Sequence, residues 1–405
     1  MDSLASPPPY HPDLLRTIAG VIAASTDQRI TFADYMAIAL YDPAAGYYAT
    51  RAARGIGPGG DFVTSPHMGP DFGELIAEQL VDFWQRLGRP DPFDLVEMGA
   101  GQGLLAADIL AHLRDRHPVC YGTVRYSIIE KAAAAIAAQR QRLLPWGEKI
   151  TWTTWDDIPT KSIRGCCFSN ELVDAFPVHR LQWDGDQWQE IYVTLAPAGS
   201  PTPLSEVLGP PSRDRLVTYF DLVGIDVTKL PKGYVTEVNL TALDWLEVVG
   251  DRLDRGYLLT VDYGYDAGRY YQPAREGGTL RCYSRHAHHG DPYAYIGYQD
   301  ITAHVDFTAL ERWGDRAGLR PLGRTPQALF LMALGLGDRL NALAHSPDPL
   351  NRDLNTLLRR RDTLHRLIDP LGLGNFQVLI QTTEAPDRDR ADLDTPRGLR
   401  EPHFQ

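Results

Sequence analysis

Hydrophobic positions between residues 93 and 169 fall into short apolar runs that alternate with helical segments. Apolar runs of about four to eight residues between turns are typical of buried strands, and apolar residues three or four positions apart are typical of helices. Repeated strand–helix units predict an α/β fold with a mostly parallel, doubly wound sheet. The predicted strands are Phe93–Met98, Val124–Glu130, Lys149–Trp155, Gly165–Ser169 and Tyr257–Tyr263, with the helices Leu104–Arg114 and Lys131–Leu144.

The segment before the sheet has a different pattern. Helical periodicity at Leu14–Ala24, and again after the predicted N-cap Thr31, indicates a helical N-terminal extension. A loop rich in glycine and arginine follows, and together these segments cover residues 1–60. The first part of the core is predicted at 61–180, and it includes the amphipathic helix Phe72–Leu87.

The segment after the fourth strand interrupts the strand–helix series. Residues 181–254 contain an alternating hairpin pattern, a Pro/Ser/Gly-rich stretch and the helix Leu240–Arg252, so we interpret them as an insertion on the substrate side. The second part of the core covers 255–384 and ends in a predicted antiparallel edge strand, Asn375–Gln381, after a helical region at 335–370. A loose tail is predicted at 385–405.

The first predicted strand ends in a turn with alternating glycines, Gly99, Gly101 and Gly103, preceded by Glu97. Glycine permits positive φ and close approach of a ligand to the backbone, and the following helix presents free N–H groups. The dinucleotide fingerprint G-x-G-x-x-G needs Gly or Ala where this chain has Leu104. An acid at Glu97 suits a cationic ligand better than a pyrophosphate. The turn favours S-adenosyl-L-methionine (SAM), with NAD or a flavin and a structural turn as the alternatives.

Carboxylates at the ends of the next two strands are candidates for adenosine recognition. Glu130 ends the second strand, from which an acid can reach ribose hydroxyls. The alternative is that Glu130 caps the helix beginning at Lys131. Asp156 or Asp157, after the third strand, is a candidate acceptor for the adenine amino group, with an ordinary turn aspartate as the alternative.

A second polar motif, Asn170-Glu171-Leu172-Val173-Asp174, follows the fourth strand. The carboxyl ends of parallel strands share the sheet edge where ligands bind, so these side chains are expected above the same crevice as the glycine turn. Carboxylates crowded at this edge need a cation or hydrogen-bond donors to offset their desolvation. The structural alternative is a capped loop-to-helix junction.

Composition excludes several classes of function. The net charge of −12 disfavours a non-specific nucleic-acid binder and is compatible with a basic protein substrate. The four cysteines show neither metal-site nor disulfide-framework spacing. His286, His288 and His289 lack a partner at ligand spacing, which indicates a polar loop rather than a metal site. Neither a membrane span nor a targeting segment is evident, so a cytoplasmic location is expected.

Five motifs occur in order along the chain: Gly60–Thr64, Glu97–Gly103, Asn170–Pro177, Asp262–Gly264 and Gln299–Phe307. Over roughly residues 14–382, they resemble the MidA family of SAM-dependent methyltransferases, which includes the mitochondrial complex I assembly arginine methyltransferase. The resemblance implies a class I, Rossmann-like methyltransferase fold with SAM as cofactor, and we place Thr64 and Asn170 with the cofactor-binding residues. Met98-Gly99-Ala100 departs from the Leu-Gly-Pro that is frequent in the family.

The resemblance also implies protein arginine methylation, with symmetric dimethylation of an NADH dehydrogenase-type subunit or another protein. A guanidinium stays protonated in water, and a carboxylate can bind its planar fork bidentately and orient one nitrogen. Glu171 is the first candidate for this catalytic role and Asp174 the second, beside Asn170. His304 is a candidate proton acceptor, with a structural histidine as the alternative. A non-catalytic SAM-binding assembly factor and a small-molecule methyltransferase are the alternative functions.

Overall fold

The structure is a computed structural model, and it describes residues 10–51, 64–284, 287–344, 354–384 and 395–402. Several sequence predictions lie outside the described residues. They are the loop at 52–60, residues 60–63 of the first motif, His286, and the tail except for 395–402.

Helices occur throughout the described residues, and the longer ones have the amphipathic patterns expected for packing against a sheet. The α-helices are α1 (Pro12–Ala24), α2 (Phe32–Tyr41), α3 (Tyr47–Arg51), α4 (Pro70–Arg86), α5 (Leu104–Arg116), α6 (Pro118–Thr123), α7 (Ala133–Arg142), α8 (Asp214–Val223), α9 (Leu240–Arg252), α10 (Ala267–Tyr270), α11 (Phe307–Arg316), α12 (Gln327–Ala333), α13 (Leu336–Ala344) and α14 (Leu354–Leu367).

The strands fall into a central sheet and three smaller ones. In chain order they are β1 (Arg29–Thr31), β2 (Phe93–Met98), β3 (Val124–Ile129), β4 (Ile150–Thr153), β5 (Ile163–Asn170), β6 (His179–Trp183), β7 (Trp188–Leu195), β8 (Leu204–Gly209), β9 (Val235–Val238), β10 (Leu253–Asp262), β11 (Gly264–Tyr265), β12 (Arg281–Ser284), β13 (Ala287–His289), β14 (Asp300–Thr302), β15 (Val305–Asp306), β16 (Arg320–Pro326) and β17 (Gln377–Thr382).

The central sheet has seven strands in the order β16-β17-β10-β5-β2-β3-β4. The five strands from β10 to β4 are parallel, and β17 is antiparallel to both β10 and β16. The predicted mostly parallel Rossmann-like sheet is confirmed. Its first strand has the predicted bounds, and the switch in chain order at β2 and β5 places the ends of these strands beside one crevice.

The prediction that the last strand forms the sheet edge is wrong, because β16 pairs with the outer side of β17. The pattern of β16 did not indicate a strand. It contains Pro321, Gly323 and Pro326, and each of its residues is partly exposed, so no alternation of buried and exposed positions marks it. Proline is tolerated at a sheet edge because the missing N–H faces away from the partner strand.

Helices cover both faces of the central sheet. On β2, Leu95 packs into a hydrophobic cluster with α4 and α5, whereas its neighbour Val96 packs into a cluster with α9 and α11. Successive residues of a strand point to opposite faces, so both faces of β2 are buried. The doubly wound arrangement therefore follows from apolar residues on both faces of β2, such as Leu95 and Val96.

A second, antiparallel sheet stands beside the central one, with the order β1-β7-β6-β9 and β8 paired to β7. The predicted hairpin in the insertion is confirmed as β6–β7. The N-terminal extension contributes β1 to this sheet, which its helical pattern did not indicate. Thr31 is confirmed as the N-cap of α2, since its hydroxyl accepts a hydrogen bond from the backbone N–H of Asp34 at 3.0 Å.

The prediction of a loose C-terminal tail is wrong for residues 395–402. Gly398 donates its backbone N–H to Gln79 Oε1 at 2.7 Å, and the guanidinium of Arg397 contacts Glu78 Oε2 at 2.9 Å. Both partners lie on α4, which fixes this short segment against the helix. Across the described segments, no helix is long and apolar enough to cross a membrane.

Candidate functional site

The glycine turn after β2 uses backbone angles that favour glycine. The φ angles are +69° at Gly99, +53° at Gly101 and +74° at Gly103, in the left-handed region. A Cβ at Gly99 would lie 2.8 Å from Cδ1 of Leu172, whereas a Cβ at Gly101 would meet no atom within 4 Å. The turn is therefore packed against the Asn170–Asp174 segment on one side and open at Gly101.

A cavity of about 560 Å³ lies over this turn and over the ends of β2, β3 and β5. Most of the side chains and turn residues predicted for the site line it together. They are Thr64, Glu97, Gly99, Gly101, Glu130, Asn170, Glu171, Asp174 and His304. Gly103 lies behind the cavity wall, where its missing Cβ makes room for Leu143 and Gln139.

The structure does not bring Asp156 and Asp157 into the lining of this cavity, which corrects the predicted adenine contact. Both residues are exposed. Strand β4 ends at Thr153, and the chain then enters a short 3-10 turn. The carboxylate of Asp157 accepts hydrogen bonds from the hydroxyl and the backbone N–H of Thr154, at 2.7 and 3.3 Å. Asp157 is therefore used by its own turn, which was the structural alternative.

Two acids flank the glycine turn. Glu97 is buried and accepts a hydrogen bond from the Tyr126 hydroxyl at 2.6 Å, and burial raises the pKa of Glu97 to about 7. Glu130 accepts the backbone N–H groups of Lys131 and Ala132 at 2.8 and 3.0 Å, and burial raises its pKa as well. The alternative of a cap on a helix beginning at Lys131 is wrong, because α7 begins at Ala133 and its N-cap Ala132 has no side-chain cap. Glu130 instead binds the turn before α7 and lines the cavity.

Glu171 occupies a strained position at the end of β5. Its φ of +52° is unusual for a side-chain-bearing residue. Its backbone N–H donates to the carbonyl of Val261 on β10 at 2.8 Å, and the Asn170 amide donates to Oε1 of Glu171 at 2.9 Å. Burial, followed by the nearby carboxylate of Asp174, raises the pKa of Glu171 to about 8. The carboxyl group is therefore held in a fixed orientation and is predominantly protonated at neutral pH.

Asp174 lies beside Glu171 in one part of the cavity, which we name the chamber and define by Glu171, Asp174, Tyr263 and Asp300. The Tyr263 hydroxyl donates to Asp174 Oδ2 at 2.6 Å, whereas Oδ1 is buried without a hydrogen-bond partner among the described residues. Burial raises the pKa of Asp174 to about 6. Asp174 Oδ1 thus remains available to a donor that enters the cavity.

Asp262 positions this segment, a role that the sequence pattern did not indicate. Its carboxylate accepts the backbone N–H groups of Leu172, Val173 and Asp174 at 3.2, 2.9 and 3.3 Å. Asp262 ends β10, next to β5 in the sheet. The available signal was its place in the Asp262-Tyr263-Gly264 motif.

The opposite wall of the chamber comes from distant parts of the chain. The Tyr48 hydroxyl donates to the buried Asp300 at 2.9 Å, and the Tyr41 hydroxyl donates to the carbonyl of Ala175 at 2.8 Å. The rings of Tyr41 and Tyr48 stack with centroids 5.4 Å apart. The N-terminal helices therefore supply an aromatic wall that the sequence analysis had not assigned to the site.

His304 lines the cavity but is a poor proton acceptor in this environment. Its ring stacks on Tyr265 with centroids 5.0 Å apart, and Nδ1 is buried without a hydrogen-bond partner in the described part of the chain. Burial lowers the pKa of His304 to about 4. The imidazole is neutral at physiological pH, and the structural alternative describes it better than the proposed base.

One cluster of potential metal ligands lies outside the cavity, between α4 and the end of α5. It comprises Glu78, His112 and His117. Both imidazole Nε2 atoms contact the same Glu78 oxygen, at 2.8 and 2.9 Å, while Arg397 contacts the other oxygen. These hydrogen bonds account for the cluster as a charge-assisted network. His288 and His289 lie in the β13 strand, apart from this cluster.

Comparison with known proteins identifies the family. Residues 75–325 match the family described as "Putative S-adenosyl-L-methionine-dependent methyltransferase". The chain is 30% identical over 369 residues to the mitochondrial protein arginine methyltransferase NDUFAF7 homolog of Drosophila melanogaster, covering 85% of this chain and 79% of that protein. The chain belongs to the MidA family. The Danio rerio relative, also a mitochondrial protein arginine methyltransferase NDUFAF7, is 28% identical and covers 94% of this MidA-family chain and 90% of its own length.

A solved structure supports the cofactor of this MidA-family protein. A protein from Burkholderia thailandensis, crystallised with S-adenosyl-homocysteine, has a TM-score of 0.77 and 30% identity, with coverage of 93% of this chain and 95% of that one. A native structure from the same organism has a TM-score of 0.76 and 31% identity. The chain is therefore a SAM-dependent methyltransferase of the class I fold.

The residues around the cavity fit SAM. The open space over Gly101 admits a ligand against the backbone, because no atom stands within 4 Å of the missing Cβ. Glu97 and Glu130 supply the oxygen acceptors that an ammonium group and ribose hydroxyls require. Glu97 is buried and Glu130 is half-buried at the cavity, so a cationic ligand would relieve the cost of their ionisation.

Proposed function

We propose that this MidA-family methyltransferase transfers methyl groups from SAM to an arginine of a protein substrate. The observation that carries the proposal is the chamber beside the glycine turn, where the buried Asp174 and Asp300 and the half-buried Glu171 lie together with tyrosines. Buried carboxylates are costly unless they meet a cation. The names of the Drosophila and zebrafish relatives support arginine as that cation.

Glu171 would bind the guanidinium and orient its nitrogen. Ionised Glu171 can accept two N–H donors of a guanidinium, and Asn170 already fixes one of its oxygens. A guanidinium beside Glu171 lowers its pKa, so binding of the acceptor is linked to loss of the Glu171 proton. Asp174 Oδ1 offers a further acceptor on the same side of the cavity.

The bonds and protons of the transfer balance without a further reactant. SAM supplies an activated methyl group on a sulfonium, so catalysis by this chain is mainly positioning and exclusion of water. The guanidinium nitrogen gains the methyl group as the methyl–sulfur bond of SAM breaks and S-adenosylhomocysteine leaves, and the nitrogen loses one proton. Asp174 and Glu171, with pKa values of about 6 and 8, can hold that proton, whereas His304 at about 4 cannot.

The finer assignment concerns the product and the acceptor. The product we infer is symmetric dimethylarginine, and the acceptor is a subunit of a respiratory NADH dehydrogenase or another protein with an accessible arginine. We place the reaction in the cytoplasm. The resemblance of the five sequence motifs to the MidA family supports the product and the acceptor.

The test separates cofactor binding from transfer. Glu171→Gln keeps the shape and the hydrogen bond to Asn170 but removes the charge that holds the guanidinium. We expect SAM affinity within about twofold of wild type by calorimetry and a loss of transfer of at least about 100-fold, since catalytic charges typically contribute that much. The control is Glu148→Gln, an exposed residue outside the cavity lining.

The methyl acceptor is identified by mass spectrometry of the proteome of cells with and without the protein. Loss of dimethylarginine at a defined protein site supports the proposal. Full turnover in Glu171→Gln would show that Glu171 is not a catalytic residue. SAM binding with no lost methyl-arginine would favour a small-molecule methyltransferase or a non-catalytic assembly factor.

A further inference from the structure

Three arginines lie along one side of the chamber. They are Arg269, Arg275 and Arg281, and we name them the arginine rim. The guanidinium carbons of Arg269 and Arg275 lie 4.4 and 4.5 Å from the ring centroid of Tyr265, which lines the cavity. These cation–π contacts hold both side chains beside the chamber. The first two members of the rim are therefore fixed by a residue of the chamber wall.

Arg281 joins the rim through the small sheet. It opens β12 and stands opposite Thr302 on β14, and Thr302 lines the cavity. The backbone N–H of His304 donates to the hydroxyl of Thr279, two residues before Arg281. All three arginines act on the electrostatics of His304, where their positive charge adds to burial in lowering its pKa. The rim is thus one positive region beside the chamber.

The charges of the rim are not neutralised within the described part of the chain. None of the three guanidinium groups forms an ion pair there. The nearby carboxylate of Asp266 instead accepts the backbone N–H of Arg269, at 3.0 Å. Other arginines of the protein are paired, such as Arg339 and Arg360 with Asp71. An unpaired positive region is notable in a chain with a net charge of −12.

We propose that the arginine rim binds an acidic segment of the acceptor protein, next to the residue that enters the chamber. The proposal rests on the proposed arginine-directed activity. The chamber and the rim then divide recognition between them, since the buried carboxylates select a cation and the arginines select carboxylates beside it. Charge complementarity of this kind raises association rates and selects among partners.

The experiment compares three fluorescent peptides that share a Gly-Arg-Gly centre. Their flanks consist of aspartate and glutamate, of serine, or of lysine. Binding to the full-length protein with SAM is measured by anisotropy, and transfer is measured as kcat/KM. We expect the acidic peptide to bind about tenfold tighter than the serine peptide, because each exposed ion pair contributes modestly. This preference should shrink as salt increases.

A rim variant and a matched control separate the local effect from net charge. The variant Arg269→Gln, Arg275→Gln, Arg281→Gln keeps planar polar groups near Tyr265 and should lose most of the acidic preference and its salt dependence. The control replaces the exposed Arg16, Arg114 and Arg116 by Gln. It changes the net charge by the same amount, at positions outside the cavity lining. Unchanged SAM binding in both proteins checks their folding.

The outcomes distinguish the two proposals. Equal affinities of wild type and rim variant for the acidic peptide overturn the inference, whether or not the peptides are methylated. A second outcome is that the rim variant loses the preference for the acidic peptide while no peptide is methylated on arginine. This result supports binding of an acidic segment by the arginine rim and contradicts the proposed arginine methylation. Displacement of the acidic peptide by oligo-uridine at lower concentration than by poly-glutamate would assign the rim to a phosphate ligand and overturn the inference.

Discussion

At the scale of single residues, the glycine turn separates two effects of a side chain. A Cβ at Gly99 would meet Leu172 at 2.8 Å, whereas at Gly101 it would enter the open cavity. Larger side chains at these two positions therefore disturb different parts of the site. The first displaces the segment that carries Glu171, and the second blocks the space over the turn.

Gly101→Val should fold and lose SAM. Valine strains a residue whose φ is +53°, at a cost of roughly 1–2 kcal/mol, and its methyl groups fill the space of the ligand. We expect SAM affinity to fall by at least about 100-fold in calorimetry, with the far-UV circular dichroism spectrum retained. The control is Gly122→Val, because a Cβ at Gly122 also meets nothing within 4 Å but lies outside the cavity lining. Unaltered calorimetric binding in Gly101→Val would disprove the assignment of the turn.

The pH dependence of transfer should report the buried carboxyl groups. Glu171 has a pKa of about 8 and Asp174 of about 6 in the chamber without an acceptor. The ionised forms bind the guanidinium, so kcat/KM should rise with pH from 6 to 8.5 and level off above it, because kcat/KM follows the free enzyme. Glu171→Asn is expected to abolish the activity itself, so the informative control is Asp156→Asn, which should leave the profile unchanged. A flat profile would show that ionisation of neither carboxyl group in the free enzyme controls transfer over this pH range.

At the scale of elements, the sequence predicted those strands whose burial leaves a recognisable pattern of apolar residues. The strand β2 was predicted with its observed bounds because all six of its residues are buried and four of them, Phe93, Leu95, Val96 and Met98, are apolar. The edge strand β16 was missed because two prolines and partial exposure remove any period. The role of Asp157 was misassigned because the sequence does not distinguish a carboxylate that caps a local turn from one that binds a ligand at the end of a strand.

The N-cap of α2 gives a prediction at this scale. Thr31→Ala removes the oxygen that accepts the Asp34 N–H and should lower the free energy of unfolding by about 1 kcal/mol. The measurement is urea unfolding followed by circular dichroism. Thr218→Ala is the control, since this exposed threonine lies within α8 and caps nothing, and it should be near neutral. Equal effects of the two substitutions would contradict the capping role.

At the scale of the whole molecule, the chamber is assembled from segments that no local pattern connects. Tyr48 meets Asp300 across 252 positions, and Asp174 meets Tyr263 across 89. The glycine turn and the Asn170-Glu171 motif were found because each follows a strand of one parallel sheet. The tyrosine wall was not found, because it depends on how the N-terminal helices pack against the second sheet.

The buried acids should also make the stability of the whole protein depend on pH. The pKa values of Glu97 and Glu171 are raised in the folded state, to about 7 and 8, above their ordinary values. The folded state then binds more protons than the unfolded state, so the contribution of these groups is present at low pH and is lost as pH rises through 7 to 8. The lowered pKa of Glu78, about 2, acts only in acid.

We therefore expect the Tm of the protein without cofactor to fall between pH 7 and pH 9 by about 1–2 °C, corresponding to roughly 1 kcal/mol. Glu171→Gln cannot ionise at this position, so it should show a smaller fall and a higher Tm than wild type at pH 9. The comparison of Tm by differential scanning calorimetry at both pH values checks this, with Glu148→Gln as control. Parallel slopes for wild type and Glu171→Gln would mean that Glu171 ionises in the folded chamber without cost, and the need for a cation there would lose its physical basis.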